Sequence, residues 1–378
     1  MKIVYCILGT FNSGGMERVL ANKTNYLAKL GHDISIITTD QKNRKPYFDL
    51  DESIKQIDLG INYTENNSSG LLKKLFDYPK KQALHKKLLT EQLLAIQPEI
   101  CVSLFDHEVD LLPEIKDGSK KIVEIHFSRF KRLQYGRKGI WKIIDSYRSK
   151  KDLKTVQKYD KFVVLTEEDK SYWGDLPNII VIPNANSFPV SQRSNLTSKH
   201  VIAVGRYDYQ KRFEDLVDVW KIVHQQEPDW KLNIFGKGPE KENLQNQINK
   251  LGLEKTLFLQ EPVRNIDQQY LDSSMIAMTS RYEGLPMALL EGQASGLPMI
   301  SYACKCGPRD IIQDGKNGYL LEEEDKAGMA NKILELIRDP ELRDTMGQHA
   351  FEMSGDFSEA AVMKKWIQLF NDALNRRQ

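Results

Sequence analysis

No stretch of the sequence approaches the roughly 18 apolar residues of a membrane-spanning helix, and the opening apolar run, residues 3–8, is too short for the core of a secretory signal. A protein that is cytoplasmic, or peripheral on the inner face of the cell membrane, is expected. Cysteine is scarce as well. Cys6, Cys101, Cys304 and Cys306 are too few to frame a chain of 378 residues with disulfides. Cys304 and Cys306 stand one residue apart without a second cluster, which argues against zinc, and reduced thiols are the expectation. Charge of one sign is missing too, with 54 Lys and Arg against 52 Asp and Glu. No base-reading motif accompanies the cations, so nucleic acid is not an expected partner. The glycine fingerprint G-x-G-x-x-G, with an acidic residue about 20 positions on, is also absent, which sets aside a dinucleotide-dependent dehydrogenase.

The length is more than one hydrophobic core usually supports, and the near-neutral total hides an asymmetry. Residues 1–185 carry 30 Lys and Arg against 24 Asp and Glu, while the remainder carries 24 against 28. The basic half is the first, which points to an anionic partner on that side. The segment 183–198 is rich in proline and serine without periodicity and reads as a linker. Two domains are therefore expected, 1–185 and 199–356, followed by an amphipathic helix over 357–378.

Apolar runs at residues 2–8, 33–38, 54–59, 99–105, 120–125, 161–165 and 179–182 alternate with helical patterns, the signature of a parallel sheet. The first run leads into Gly14 and Gly15 and then a helix with Met16, Val19, Leu20, Leu27 and Leu30 on one face. Those glycines either let a ligand approach the helix N-terminus or simply make a tight turn. Asp49 and Asp51 match the D-x-D pair by which many sugar transferases hold a divalent ion, but they lie in a polar connection with no strand before it, and no metal is expected. Residues 62–70 read as a polar loop. Residues 71–89 pair leucines with six lysines and read as a basic amphipathic helix interrupted at Pro79, suited either to anionic lipid or to docking on the sheet. His126 and His107 each follow a strand at its carboxyl end, where open α/β sheets put their ligands; the pattern favours His126 as the ligand contact. From Arg129 to Lys158 eleven cations oppose only Asp145 and Asp152. Trp141, Ile143, Ile144 and Tyr147 are spaced as one helical face with the cations on the other. Arg129, Arg132, Arg148, Lys150 and Lys151 are the candidates for an anionic acceptor or membrane.

In the second half, the strands expected at 200–204, 232–235, 256–259, 275–278, 299–301 and 319–321 continue the alternation. Arg206 follows the first, and Lys211 opens the next helix, so the two cations either form a clamp for a diphosphate or are ordinary surface charges at a common spacing. The stretch Arg281–Gly296 holds the densest chemistry. Gly284 permits a turn, and Pro286 is expected at the first position of an amphipathic helix stopped by Gly296. The amides at Leu285 and Met287 suit phosphate or sugar oxygens. Glu283 stands in the mouth of the loop and Glu291 on the helix behind it. Carboxylates accept hydrogen bonds from hydroxyls and amides attract phosphate, so the combination suggests a nucleotide sugar.

With Gly205-Arg206, Lys211, Gly236 to Pro239 and Glu283-x7-Glu291 in this order, the chain resembles the retaining glycosyltransferases of family four, over nearly its whole length. That resemblance implies an α/β GT-B fold, two Rossmann-like domains with parallel sheets facing across a cleft, the second holding the donor and the first the acceptor. The last helix would return to the first domain. Arg206 and Lys211 would neutralise the diphosphate. Glu283 would hold donor sugar hydroxyls, Glu291 the ribose hydroxyls, and Val263 would mark the base. Gly14, Gly15, Gly205, Gly236, Gly284, Leu285, Pro286 and Met287 would line the donor, and His126 would face its sugar. Family members retain configuration without a well-established enzyme nucleophile, so Glu283 receives no covalent role. No cofactor is implied beyond a nucleotide sugar, UDP-linked, as co-substrate. Enzymes of similar appearance extend bacterial surface polysaccharides or glycans on a polyprenyl diphosphate at an anionic membrane. The segment Cys306-Gly-Pro-Arg-Asp310 departs from the family, which more often has a glycine pair and a glutamate. The competing readings are a non-hydrolysing UDP-sugar epimerase and a non-catalytic nucleotide-sugar-binding protein of the same fold.

Overall fold

The computed structural model describes residues 1–68, 71–129, 139–187 and 192–375. The chain forms two compact units. One comprises Met1–Leu165, Lys170–Ile182 and Met363–Gln378, and the other Thr166–Asp169 and Pro183–Val362.

The first unit is built on seven strands, all paired in parallel: β1 (Lys2–Ile7), β2 (Asp33–Thr38), β3 (Lys55–Asp58), β4 (Ile100–Ser103), β5 (Lys120–Glu124), β6 (Lys161–Val164) and β7 (Ile179–Val181). Their order is β3-β2-β1-β4-β5-β6-β7. Strands β1 and β4 are apolar on both faces because helices cover both sides of such a sheet. The order reverses direction between β1 and β4, and outside the carboxyl ends of those two strands lies the crevice where doubly wound sheets bind ligands. Helices α1 (Gly15–Lys29), α2 (Leu71–Ile96) and α3 (Ile140–Val156) follow β1, β3 and β5, and the short α4 (Glu167–Trp173) follows β6.

Three expectations for this unit need correction. Helix α2 runs through Pro79 without interruption; the missing donor costs about 3 kcal/mol, and burial of His85, Leu89 and Leu93 offsets it. The polar segment after β3 is a 3-10 helix, Tyr63–Ser68, rather than a loop. Its start is organised by Asp40, whose carboxylate accepts hydrogen bonds from the amides of Tyr63 and Thr64 and from the Thr64 hydroxyl. Among the described side chains of α3 the buried ones are Asp145, Ser149, Thr155 and Val156, while Ile143 and Tyr147 are each 70% exposed. Lys150 and Lys154 are exposed on the same outward face, so apolar and cationic side chains mingle there instead of segregating.

The second unit alternates β8 (His200–Val204), α5 (Phe213–Gln226), β9 (Lys231–Phe235), α6 (Lys241–Leu251), β10 (Leu257–Gln260), α7 (Ile266–Leu271), β11 (Met275–Met278), α8 (Met287–Ala294), β12 (Met299–Tyr302), α9 (Pro308–Ile311) and β13 (Gly318–Leu321). The six strands are again parallel, in the order β10-β9-β8-β11-β12-β13, with the switch between β8 and β11. Helices α10 (Lys326–Arg338) and α11 (Pro340–Met353) follow, then α12 (Glu359–Asn375). Helix α12 starts two residues later than expected, at the turn where Ser358 accepts from the Ala361 and Val362 amides. Its first turn falls in the second unit and the remainder in the first. There the Lys23 ammonium lies over the buried Trp366 ring, 3.7 Å from its centroid.

Candidate functional site

The loops after β8 and β11 meet at the switch point of the second sheet. The backbone of Gly205 and Gly236 is packed so closely that a Cβ on Gly236 would fall 1.9 Å from the Gly205 carbonyl oxygen. A Cβ on Gly205 would in turn press on the Lys211 side chain at 2.9 Å. Glycine at these two positions lets the strand ends converge and Lys211 fold across them. Arg212 then adopts a left-handed backbone as the cap of α5, so the helix begins at Phe213 and Lys211 remains in the loop, where the sequence placed it at the helix start. The Thr279 hydroxyl donates to the carbonyls of Lys211 and Arg212, and the Arg281 amide to that of Gln210, lacing the two loops together.

This lacing brings Lys211 and Glu283 into contact. The Lys211 ammonium donates to Glu283 Oε1 at 2.7 Å, and the Gln210 amide reaches Glu283 Oε2 at 3.3 Å and the Tyr282 carbonyl at 3.0 Å. Glu283 is only 6% exposed. Burial opposes the charge on Lys211, but the adjacent Glu283 carboxylate outweighs it and holds the ammonium above its ordinary range. An ammonium has three donors, so Lys211 can hold Glu283 and still meet a phosphate oxygen. Arg206 is placed differently. Its side chain is 72% exposed and lies 3.8 Å from Asp208, within the reach of a ligand but not drawn to Glu283.

Pro286 is the N-cap of α8 and not its first helical residue, so the turn begins at Met287. The helix is also not amphipathic: Leu289 to Ala294 are all buried, because α8 sits within the unit rather than on its surface. Behind Gly284 to Pro286 runs the segment that departs from the family. The Glu283 amide donates to the Lys305 carbonyl, and Gly307, with φ of 97°, abuts the Pro286 ring. Cys306 itself holds a φ of 64°, a conformation glycine adopts without cost, which accounts for the family's preference there. Glu291 is buried on α8 and accepts a hydrogen bond from the Tyr270 hydroxyl. Val263 lies half-buried in the connection between β10 and α7.

In the first unit, Gly14 caps α1, and a Cβ there would collide with the Glu17 carboxylate. Burial pushes the Glu17 carboxyl up, opposed by its own amide, Asn12 and His126. His126 Nε2 lies 3.5 Å from Glu124 Oε2, an ion-pair separation. Glu124 also receives the buried Lys23 ammonium at 2.5 Å. Burial would raise the Glu124 carboxyl, yet Lys23 and His126 hold it down at about 2. His107 instead stacks on Tyr63, ring centroids 3.8 Å apart. Arg129 is half-buried with its guanidinium 5.2 Å from the centroid of the Trp173 ring, whereas Arg148, Lys150 and Lys151 are exposed, Lys151 pairing with Asp110. Arg132 lies outside the described residues.

Lys23, Glu124, Gln210 and Tyr270 were not singled out in the sequence. Lys23 carried a signal, since it falls between Val19 and Leu27 at intervals of four on the packed face of α1. Among the described residues no group of His, Cys, Asp or Glu is placed to hold a metal ion. Asp51 there accepts from the Ser53 amide and hydroxyl. All four cysteines are buried.

Two doubly wound parallel sheets in one chain, with a glutamate–lysine pair and a helix start at the switch point of the second, define a protein of the GT-B glycosyltransferase class. Residues 185–353 match the family model of the glycosyl transferases group 1. The chain is 31% identical to the amylovoran biosynthesis glycosyltransferase AmsD of Erwinia amylovora over 99% of both chains. It is 25% identical, over 99% of both, to a Campylobacter jejuni N-acetyl-D-galactosaminyltransferase named for an acceptor on PP-undecaprenol. The chain belongs to the group 1 glycosyltransferases. Its fold matches that of Staphylococcus aureus TarM, solved as a variant with fondaparinux, alpha-GlcNAc-glycerol and UDP, with a TM-score of 0.80 at 19% identity over 98% of this chain and 99% of that one. The GT-B fold expected from the sequence is the fold found.

Proposed function

We propose that this glycosyltransferase moves a hexose or N-acetylhexosamine from a UDP-sugar to a glycan acceptor, with retention of anomeric configuration, in polysaccharide or glycolipid biosynthesis. The observation that carries the reading is the buried Glu283 carboxylate held between Lys211 and Gln210 at the switch point. A carboxylate fixed there accepts sugar hydroxyls, while the remaining donors of Lys211, the exposed guanidinium of Arg206 and the start of α8 meet the diphosphate as its negative charge grows on bond cleavage. Those groups supply the counter-charge a divalent ion would otherwise provide, so the transfer is expected to need no metal. His126, 3.5 Å from Glu124 in the first unit, is the residue of that unit assigned a role at the donor sugar. UDP as the nucleotide is supported by its presence in the TarM complex.

The acceptor is proposed to be linked to a polyprenyl diphosphate, as the name of the Campylobacter jejuni relative states for that enzyme. No helix among the described residues is long and apolar enough to cross a membrane. The outward face of α3, with Ile143 and Tyr147 among Lys150, Lys151 and Lys154, has the composition that docks on an anionic lipid surface from the cytoplasmic side.

A thermal-shift screen of UDP-, GDP- and ADP-sugars, followed by assay of UDP release in the presence of EDTA, tests the reading. UDP-sugars are expected to stabilise the protein most, with release that survives EDTA and is lost in Glu283→Gln. Stabilisation without release would favour a non-catalytic binder, and interconversion of the UDP-sugar without UDP release an epimerase.

A further inference from the structure

The proposed reading leaves unexplained how Glu291 is kept in place. It is a carboxylate only 6% exposed, on a helix whose neighbouring residues are buried. No cation is paired with it among the described residues; the hydrogen bond it receives is from a neutral phenol, Tyr270 Oη to Glu291 Oε2 at 2.8 Å. Tyr270 projects from α7 and is itself fully buried. The choice of donor matters. A lysine or arginine at this position would fix the carboxylate but neutralise it, weakening it as an acceptor for hydroxyls. A phenol orients the group and leaves its negative charge in place. It also occupies one oxygen, and no hydrogen bond to Oε1 is present among the described residues, so the second oxygen is left for a ligand.

We propose that Tyr270 is a positioning residue for nucleotide recognition: its hydroxyl locks Glu291 in the orientation that presents Oε1 to the two ribose hydroxyls. This rests on the reading of Glu291 as the ribose ligand. A vicinal diol suits one free carboxylate oxygen and its charge, and the discrimination should be lost when the carboxylate is free to turn away.

The test compares binding of UDP and 2′,3′-dideoxy-UDP by calorimetry to the full-length wild type, Tyr270→Phe and Glu291→Gln. Wild type should prefer UDP by about tenfold or more, the scale of a hydrogen bond to a charged group. In Tyr270→Phe, UDP should weaken by about tenfold while the dideoxy nucleotide binds as before, so the preference collapses toward that of Glu291→Gln. A generally damaged fold would instead weaken both nucleotides together. Absence of UDP binding, or equal affinity of wild type for both nucleotides, overturns the Glu291 reading beneath the proposal. A Tyr270→Phe protein that keeps the wild-type preference overturns the proposal while leaving Glu291 in its role. Should Tyr270→Phe fail to fold, Glu291→Asp withdraws the carboxylate from the phenol with both groups retained, and an undiminished preference in that variant overturns the positioning role.

Discussion

Arg206 and Lys211 enter as a pair of cations two and seven residues past the end of β8, yet their surroundings separate them. Lys211 is bonded to the buried Glu283, whereas Arg206 is largely in solvent. Replacing Arg206 by Ala is expected to weaken UDP by about 1.5 kcal/mol, and Lys211→Ala by about 3 kcal/mol, the two ends of the range for bonds to charged groups. Lys211→Ala should also lower the thermal midpoint, because it strands a buried carboxylate, and Arg206→Ala should not. Calorimetry with UDP and thermal unfolding read both; unchanged UDP affinity in the two variants would refute the clamp. Glu108 supplies a second prediction at this scale. Burial, with Asp106 beside it, pushes its carboxyl up from 4.5 to about 8. The unfolded chain therefore ionises at a pH where the folded one still holds the proton, and stability falls as pH rises through that window. At pH 7 the cost is about 3 kcal/mol. Glu108→Gln stays neutral, so it should be more stable than wild type at pH 7 and lose that advantage at pH 4. A difference in midpoint that does not change between the two pH values would contradict this.

At the scale of elements, α3 shows what a helical pattern does and does not convey. The helix itself is legible in the spacing of Trp141, Ile143, Ile144 and Tyr147, but which face turns inward is decided by what the sheet offers. Asp110, following β4, accepts from Thr155 and Lys151, and those bonds set the rotation that leaves Ile143 and Tyr147 outside. If that face docks on lipid, each basic residue near the surface contributes on the order of 1 kcal/mol, and salt screens it. Reversing Arg148, Lys150 and Lys151 to Glu is then expected to abolish binding to anionic vesicles at low ionic strength. Transfer to a lipid-linked acceptor should fall with it, far more than slow hydrolysis of the donor. Equal loss of both activities, or vesicle binding indifferent to salt, would favour a soluble acceptor.

For the molecule as a whole, α12 ties the end of the chain into the first unit, where Trp366, Leu369 and Phe370 are buried and Trp366 covers Lys23. Trp366→Ala is expected to cost about 3–5 kcal/mol. It should also uncover the Lys23–Glu124 pair on which His126 rests. Unfolding followed by denaturant should lose the first unit at lower concentration in this variant, with UDP still bound by the second. A single transition shifted as one, or an unchanged midpoint, would show that the last helix contributes nothing particular to that unit.

The alternation of strand and helix, the parallel class, the glycine positions and the Glu283-x7-Glu291 spacing were all written in the order of residues, because short-range periodicity and backbone freedom are local properties. Tertiary structure alone decided the charge partners. That Lys211 takes Glu283, that Lys23 takes Glu124 beneath His126, and that a tyrosine rather than a cation holds Glu291 depend on contacts between residues 72, 101 and 21 positions apart. Such pairs leave no periodic trace in a single sequence. The same holds for Pro79 and for the outward face of α3, where long-range burial and hydrogen bonding outweighed local preference, and for His107, whose stacking on Tyr63 only folding could arrange.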